Sequence, residues 1–518
     1  MMRNRRMLPA LTALVAAVGC QDSEFSQPLD DALFSAEPQV VFTGDALYMV
    51  SPYEDQVIRV RPGAMDEGAA SYTELESARI ETIAVGPGPG PLLLSRTGDA
   101  ILTLTHGDGV HGLAVLDVSA TCSGDWPVDT GCVTVLEANG LHDTLVLSPD
   151  GRFAVSYLSD EGVHTTTEDV VNLNEIGVYD LDELTARFVN VGVSPKGFAF
   201  THGDTNPRMV VLMSGKVVVV NLETGETTAR DLTLSSDSSI TPADVVVTGD
   251  DHYALVTIVG SQDLFTFDLT QPTLPINILN LSQAPRLMVA TSTGEEAVVI
   301  GADRHTIDVI HQDGLVMDTY ATEGTARNIV TLPGSHSVVT YDSSGTGNYL
   351  YELDTRSGRM NSYRLDNPCT QVLASPDGRA LVLFYKPEPW TGSSSGSGLD
   401  SNYAVAILNL GQGDTQPTPI IVSSEPMDAV FYLGADPSQD QVFVPFGTEE
   451  RGVVGRFNLS TYDSGATQVA PRPVEVGILS NGLVATVHQA AFGFISVFSL
   501  EDPDHVQYIR GFLTEGLL

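Results

Sequence analysis

The sequence predicts an all-β protein made of repeated, four-stranded antiparallel sheets. Three observations support this fold class. The segment SPDGRFAVSY at 148–157 recurs as SPDGRALVLF at 375–384. Weaker versions of the same hairpin occur along the chain, and each is followed by two further short runs with the composition of β-strands. Period-2 and short apolar runs separated by turn residues indicate strands, and no helical periodicity of useful length intervenes.

The first two strands of each unit form a hairpin around the Ser-Pro-Asp-Gly turn, as in TLVLSPDGRFAVSY and QVLASPDGRALVLF. Asp and Gly suit its tip, because tight turns need a positive φ or a side chain that caps its own backbone. Related hairpins start near positions 41, 92, 197, 245, 287, 328, 431 and 476.

A third strand follows each hairpin, as in GKVVVVNLETGE, and a fourth follows that, as in ARFVNVGV. An aspartate recurs at the end of the third strand. Turn capping explains this recurrence better than catalysis does, because catalysis would need only one site. The recurrent residues are Asp117, Asp180, Asp268 and Asp354.

The repeat period identifies the architecture. The steps between successive first turns range from 40 to 59 residues, given turn residues at Gly44, Gly98, Gly151, Gly203, Gly249, Gly294, Gly334, Gly378, Pro437 and Gly482. Four-stranded units of about 40–50 residues are typical of a β-propeller, in which each blade covers its apolar faces against its neighbours. We count ten units and expect about seven to ten blades over residues 39–518. One continuous array is favoured; the alternatives are two rings, or hairpins that extend neighbouring blades.

The repeats resemble the YVTN/WD40-like propeller repeats of exported bacterial proteins, in which a VxVxDxxTG strand follows an SPDG-type hairpin. VVVVNLETG at 217–225 is the best copy of that second element. The resemblance covers roughly residues 39–518, although most units lack the full SPDG turn. It implies a propeller of the cell envelope, with an architecture similar to that of the lipoprotein scaffold of outer-membrane barrel assembly.

The N-terminus has the pattern of a secretory signal. MMRNRRMLPALTALVAAVGC carries three early arginines and then an apolar run too short to span a membrane. Its end, AVGC, resembles a bacterial lipobox, which implies a signal peptide at 1–19, a lipid on Cys20 and a polar tether over 20–38. An ordinary signal peptide cut nearby is the alternative. We expect lipid anchoring to a bacterial membrane, the outer membrane facing the periplasm or the surface.

The charge limits the classes of partner. The chain has 25 Lys and Arg against 66 Asp and Glu, a net charge of −41. Such a surface repels phosphate backbones, so no nucleic-acid binding is expected. We interpret the acidity mainly as a source of solubility rather than as a cation-binding device.

Export places the cysteines in an oxidising compartment. Cys122 and Cys132 bracket the turn-rich segment SGDWPVDTG, and we expect a local disulfide between them. Cys369 is left over and is interpreted as a buried thiol.

Short catalytic and ligand-binding motifs are rejected on structural context. GDGVHG at 107–112 is followed by a strand instead of the helix that a phosphate cradle requires. GSSSG at 392–396 lacks the strand and helix of a nucleophile elbow. His106 and His111, expected in one connecting loop near Asp108, make too weak a set for zinc or copper. We therefore assign no catalytic residue, no cofactor and no metal ligand.

Two functional interpretations remain. The first is a membrane-anchored, non-enzymatic binding or scaffolding platform with a protein partner at one rim. The alternative is a lactonase- or hydrolase-like propeller enzyme with its site at the mouth of the central channel. That enzyme would need ionisable groups from several blades at one mouth, and a cluster of three or more would favour it.

Overall fold

The protein is a ring of ten small antiparallel sheets, each with four strands in sequence order. A computed structural model describes residues 40–513, apart from 52–54, 67, 108–109, 120–131, 159–173, 193–194, 204–205, 233–239, 345–348, 388–397 and 491. The strands of each blade are called A to D in chain order, with one extra strand, β4, between the last two strands of blade 1. This confirms the predicted all-β propeller and fixes ten blades in one ring.

Blades 1 to 5 contain the following strands: β1 (Val40–Thr43), β2 (Ala46–Val50), β3 (Gln56–Arg61), β4 (Thr73–Glu74) and β5 (Arg79–Ala84); β6 (Leu93–Leu94), β7 (Ala100–Gly107), β8 (Val110–Asp117) and β9 (Val133–Glu137); β10 (Thr144–Leu147), β11 (Phe153–Tyr157), β12 (Glu175–Asp180) and β13 (Thr185–Asn190); β14 (Gly197–Phe200), β15 (Arg208–Met213), β16 (Lys216–Asn221) and β17 (Thr227–Asp231); β18 (Pro242–Val247), β19 (Tyr253–Ile258), β20 (Asp263–Asp268) and β21 (Ile276–Asn280).

Blades 6 to 10 contain the remaining strands: β22 (Pro285–Ala290), β23 (Glu296–Gly301), β24 (Thr306–His311) and β25 (Met317–Ala321); β26 (Asn328–Thr331), β27 (Ser337–Tyr341), β28 (Tyr349–Asp354) and β29 (Arg359–Arg364); β30 (Cys369–Ala374), β31 (Ala380–Tyr385), β32 (Tyr403–Asn409) and β33 (Thr418–Val422); β34 (Val430–Tyr432), β35 (Gln441–Gly447), β36 (Gly452–Asn458) and β37 (Ser464–Val469); β38 (Pro473–Ile478), β39 (Leu483–His488), β40 (Phe494–Ser499) and β41 (Val506–Arg510). Short 3-10 turns lie at Asp313–Leu315, Gly398–Ser401, Leu410–Gln412 and Pro437–Gln439.

Burial is graded across each blade. Strands B and C are buried on both faces, which explains continuous apolar runs such as KVVVVN in β16. The outer strand is far more exposed, and all five residues of β17 face solvent. Inner strands such as β10 and β26 are half-buried, as expected for strands that border the axis of a wide ring. Neighbouring inner strands, such as β14 and β18, contact one another.

Each blade packs on its neighbours through a separate apolar cluster. The described residues form ten such clusters, and each joins two adjacent blades, including the last to the first. A single blade leaves both faces of its central strands uncovered. Burying this apolar surface contributes about 25 cal/mol per Å², and the stabilisation arises only when blades pack together in the closed array.

The ring is closed by a short latch from blade 1. The segment that joins β3 to β5 crosses to blade 10, where β4 pairs in parallel with β41. The Leu75 amide donates to the Tyr508 carbonyl at 2.9 Å, and the Leu75 side chain is buried in the closing cluster. The Ser480 amide also donates to the Gly44 carbonyl at 2.7 Å. Hydrogen bonds and apolar packing therefore both contribute to closure.

The side chains of the Ser-Pro-Asp-Gly turn stabilise their own hairpin through hydrogen bonds. Ser375 Oγ accepts the Ala380 amide at 3.0 Å and donates to Asp377 Oδ1 at 2.6 Å. Ser148 occupies the same role in blade 3, where it accepts the Phe153 amide at 2.9 Å. The glycine that follows the aspartate has φ +68° in blade 8, a conformation that side chains disfavour. The Ser side chain of this turn therefore satisfies a backbone donor of its own hairpin in both blades.

Candidate functional site

The A–B turns of the blades form a belt around one end of the ring, and several neighbouring turns contact one another. Thr43 Oγ1 donates to the Gly98 carbonyl at 2.9 Å, and the Gly249 amide donates to the Gly294 carbonyl at 2.8 Å. Because all inner strands run the same way, the C–D turns lie at this end too. We call this end the turn face, and the opposite end the connection face.

Many carboxylates on the turn face cap turns, as the sequence predicts. Each recurrent aspartate accepts a backbone N–H from a residue just after it: Asp180 Oδ1 accepts the Glu183 amide at 3.0 Å, and Asp354 Oδ1 accepts the Ser357 amide at 3.1 Å. The same pattern holds at Asp117 and Asp268. Structural capping is thus confirmed for all four.

One cluster on the turn face does not fit the capping pattern. Glu295 and Glu296 follow the A–B turn of blade 6, and His336 follows that of blade 7. His336 Nδ1 lies 3.1 Å from Glu296 Oε2, 3.2 Å from Glu296 Oε1 and 3.8 Å from Glu295 Oε2. The Glu296 side chain is only 4% exposed, whereas that of Glu295 is 46% exposed. The cluster therefore contains one buried carboxylate, Glu296, and one solvent-exposed carboxylate, Glu295.

The cluster also departs from the repeat. Glu296 is the second residue after the turn glycine Gly294, and its carbonyl accepts the Thr291 amide. In blade 7 the Leu332 amide donates to the Ser337 carbonyl, so Ser337 has the same register as Glu296, and His336 lies one position before it. In blade 4 the equivalent residue is Arg208, whose guanidinium donates to the Leu269 carbonyl. In six other blades the position is apolar or aromatic, and it is occupied by Ala46, Ala100, Phe153, Tyr253, Ala380 and Leu483.

A cleft of about 630 Å³ opens where the latch meets blade 10. Met65 of the latch and Leu483 of β39 supply apolar surface, and the C–D turn of blade 10 supplies Glu501, Asp502 and His505. His505 Nε2 is buried without a hydrogen bond. The cleft thus combines apolar contacts with exposed negative charge.

Two ionisable side chains near the starts of inner strands, Asp244 and Arg327, make structural hydrogen bonds or ion pairs. Asp244 Oδ2 accepts the Met288 amide of the next blade at 3.2 Å, and burial raises the pKa of this carboxyl. Arg327 pairs with the fully buried Asp342 at 3.0 Å. These groups come from separate blades and engage local partners, so they hold the connection face together.

Two histidines are buried and uncharged at neutral pH. Burial lowers the pKa of His488 to about 4, and its ring contacts Ser496 Oγ at 2.9 Å and the Pro471 carbonyl at 3.0 Å. Burial likewise lowers the pKa of His142 to about 4, and its Nδ1 lies 2.6 Å from Ser156 Oγ. Both side chains fill polar positions within blades.

The structure describes two of the four cysteines that the sequence analysis singled out. Cys20 and Cys122 lie outside the described residues, so lipidation and the predicted disulfide stay predictions. Cys132 is buried and disulfide-bonded. Cys369 is a buried free thiol whose pKa is raised to about 12 by burial, which makes it unreactive.

The two loop histidines are placed differently from the prediction. His106 and His111 belong to strands β7 and β8, where they face each other as a cross-strand pair instead of lying in a connecting loop. The hairpin is longer than expected because β7 reaches Gly107 and β8 begins at Val110. Asp108 lies outside the described residues.

The comparisons with known proteins identify no family. The sequence matches no protein-family model and no curated protein. Among solved structures, dihydro-heme d1 dehydrogenase NirN in complex with DHE is 11% identical, covers 77% of this chain and 78% of its own, and has a TM-score of 0.44. A eukaryotic initiation factor is 12% identical, with 85% and 97% covered and a TM-score of 0.45.

The β-propeller domain of Myceliophteria thermophila Cps50 (Swd1) is 10% identical, with 63% of this chain and 97% of that domain covered and a TM-score of 0.35. The fold assignment depends on the sheet topology described above and not on these similarities. Within the described residues, no helix has the length and apolar character needed to span a bilayer.

Proposed function

We propose that the protein is an exported, lipid-anchored propeller that acts as a non-enzymatic binding platform, with the turn face as its docking surface. The cleft at the ring closure is the observation that carries this proposal. It is open to solvent, it is large enough for several side chains, and it joins two segments that are far apart in sequence. Binding sites of this kind combine apolar contacts with a few placed polar groups.

The chemistry of the cleft defines the partner we expect. Met65 and Leu483 offer a surface for an apolar side chain, while Glu501 and Asp502 favour positive charge beside it. The net charge of −41 attracts basic partners and accelerates their association. The expected partner is a protein segment in which an apolar anchor is flanked by Lys or Arg.

Site-specific cross-linking in intact cells tests this proposal. A photo-reactive amino acid at position 64, where the exposed Ala64 lines the cleft, should yield one discrete adduct. The same amino acid at the outer-strand position of Thr228 should not. Glu501→Lys should abolish the adduct, whereas Glu226→Lys, on the C–D turn of blade 4, should leave it. Recovery of uncross-linked monomer alone would contradict the proposal.

The enzyme interpretation keeps one specific observation in its favour. Glu295, Glu296 and His336 bring three ionisable groups together beside the belt of turns, although only two blades contribute them. A hydrolase of this kind should cleave members of a lactone and ester panel and lose that activity in Glu296→Gln. A wild-type chain that is inactive on the panel, together with the adduct at position 64, would favour the platform.

A further inference from the structure

We propose that Glu295, Glu296 and His336 bind one divalent transition-metal ion of the zinc class, between blades 6 and 7 on the turn face. Each residue offers one ligand atom, and the three atoms lie within 4.8 Å of one another. One imidazole nitrogen with carboxylate oxygens is a donor set suited to zinc and neighbouring metals. This site does not depend on the proposed function.

The distances between donor atoms fit a shared ion. Bonds of about 2.0–2.2 Å to a tetrahedral zinc ion place neighbouring ligand atoms about 3.3–3.6 Å apart. His336 Nδ1 lies 3.1 and 3.2 Å from the two Glu296 oxygens. Glu295 Oε2 lies 3.8 Å away on an exposed side chain, so a small rotamer change brings it into range. Solvent is free to complete the coordination from that side.

Hydrogen bonding alone accounts poorly for the arrangement. Four oxygen atoms lie within 3.8 Å of His336 Nδ1: both Glu296 oxygens, Glu295 Oε2 and, at 3.3 Å, Thr293 Oγ1. An imidazole nitrogen has one hydrogen to donate, so it cannot serve all three carboxylate oxygens, even though the Thr291 hydroxyl also donates to Glu296 Oε2 at 3.0 Å. A doubly charged cation would satisfy both carboxylates and the ring nitrogen together.

The position in the repeat is an independent argument. The buried carboxylate of Glu296 occupies a position where six other blades place Ala, Phe, Tyr or Leu. An ionised side chain that is 4% exposed carries a large desolvation cost unless it is paired. Such local departures from a repeat are expected at functional positions rather than in a structural core.

The purified full chain, free of any histidine tag and stripped with chelator, tests the site. Calorimetry with Zn²⁺ and a competing chelator should show one tight site above the weak binding of the acidic surface. Glu296→Gln and His336→Asn should each weaken that site at least about tenfold. Glu295→Gln should weaken it too, and because this side chain is 46% exposed, the variant should fold normally.

A matched control and a spectroscopic readout complete the test. His311→Asn removes a histidine paired with Asp318 at 3.2 Å, and should leave Zn²⁺ affinity unchanged. Co²⁺ bound to the wild-type chain should give a visible spectrum that disappears in the three cluster variants. Zn²⁺ should also raise the melting temperature of the wild-type chain but not of the variants. The proposal is overturned if no tight site exists, or if the cluster variants bind Zn²⁺ as the wild-type chain does.

Discussion

Acidification from pH 7 to pH 5 should destabilise the fold through His488, which is 2% exposed. Its pKa is lowered by burial from 6.5 to about 4, so the folded state disfavours the proton that the unfolded state accepts. Stability is therefore lost as the pH falls below about 6.5, and the loss is complete below about 4. At pH 5 the linkage amounts to about 2 kcal/mol for this one group.

Urea titrations at the two pH values measure this effect. Protonation of carboxylates also changes the repulsion within a chain of net charge −41, so wild type must be compared with His488→Gln. The variant should lose about 2 kcal/mol less between pH 7 and pH 5 than wild type. His252→Gln, at a side chain that is 58% exposed, should behave as wild type. Equal losses in wild type and His488→Gln would refute the reasoning.

Three further predictions address the anchor, the latch and the repeated turn. Cys20→Ala should lose lipid labelling and leave the membrane fraction; membrane retention without lipid would contradict the anchor. Leu75→Ala should lower the free energy of unfolding by about 2–5 kcal/mol because Leu75 is 3% exposed in the closing cluster, while the 42% exposed Leu184→Ala should change it by less than about 0.5 kcal/mol. Similar small effects at both sites would argue against the latch. Ser148→Ala leaves the Phe153 amide without its side-chain acceptor and should cost about 1–3 kcal/mol, against almost nothing for the exposed Ser119→Ala. Equal stability of these two serine variants in urea would show that the Ser148 hydroxyl does not stabilise its hairpin.

Local features of the fold are predictable from sequence because their causes lie within a few residues. Ser148 and Asp150 satisfy donors of their own hairpin, and Asp180 caps the turn that immediately follows it. Related hairpin turns recur along the chain, so counting them gives the correct number of ten blades.

The way in which the ring closes could not be predicted from the sequence, because the two strands that pair there are far apart along the chain. β4 has only two residues and pairs with Gln507 and Tyr508, more than four hundred positions later. Nothing in the composition of Thr73 and Glu74 marks them as a latch. Their pairing follows from the completed ring, which brings blade 1 beside blade 10.

The Glu295–Glu296–His336 cluster was missed for a related reason. Glu296 and His336 are 40 residues apart, which resembles no short metal motif. A signal does exist, since both occupy the second position after a turn glycine in consecutive repeats. Aligning the units by that glycine, rather than searching for motifs along the chain, would have placed the two side chains together.

Cryo-electron microscopy of the purified chain, viewed along the ring axis, tests the central structural claim most directly. We expect a single closed ring with ten blades and a strand added to the outer edge of the tenth. Two separate rings, or a ring of fewer blades with the remaining hairpins packed outside it, would contradict it.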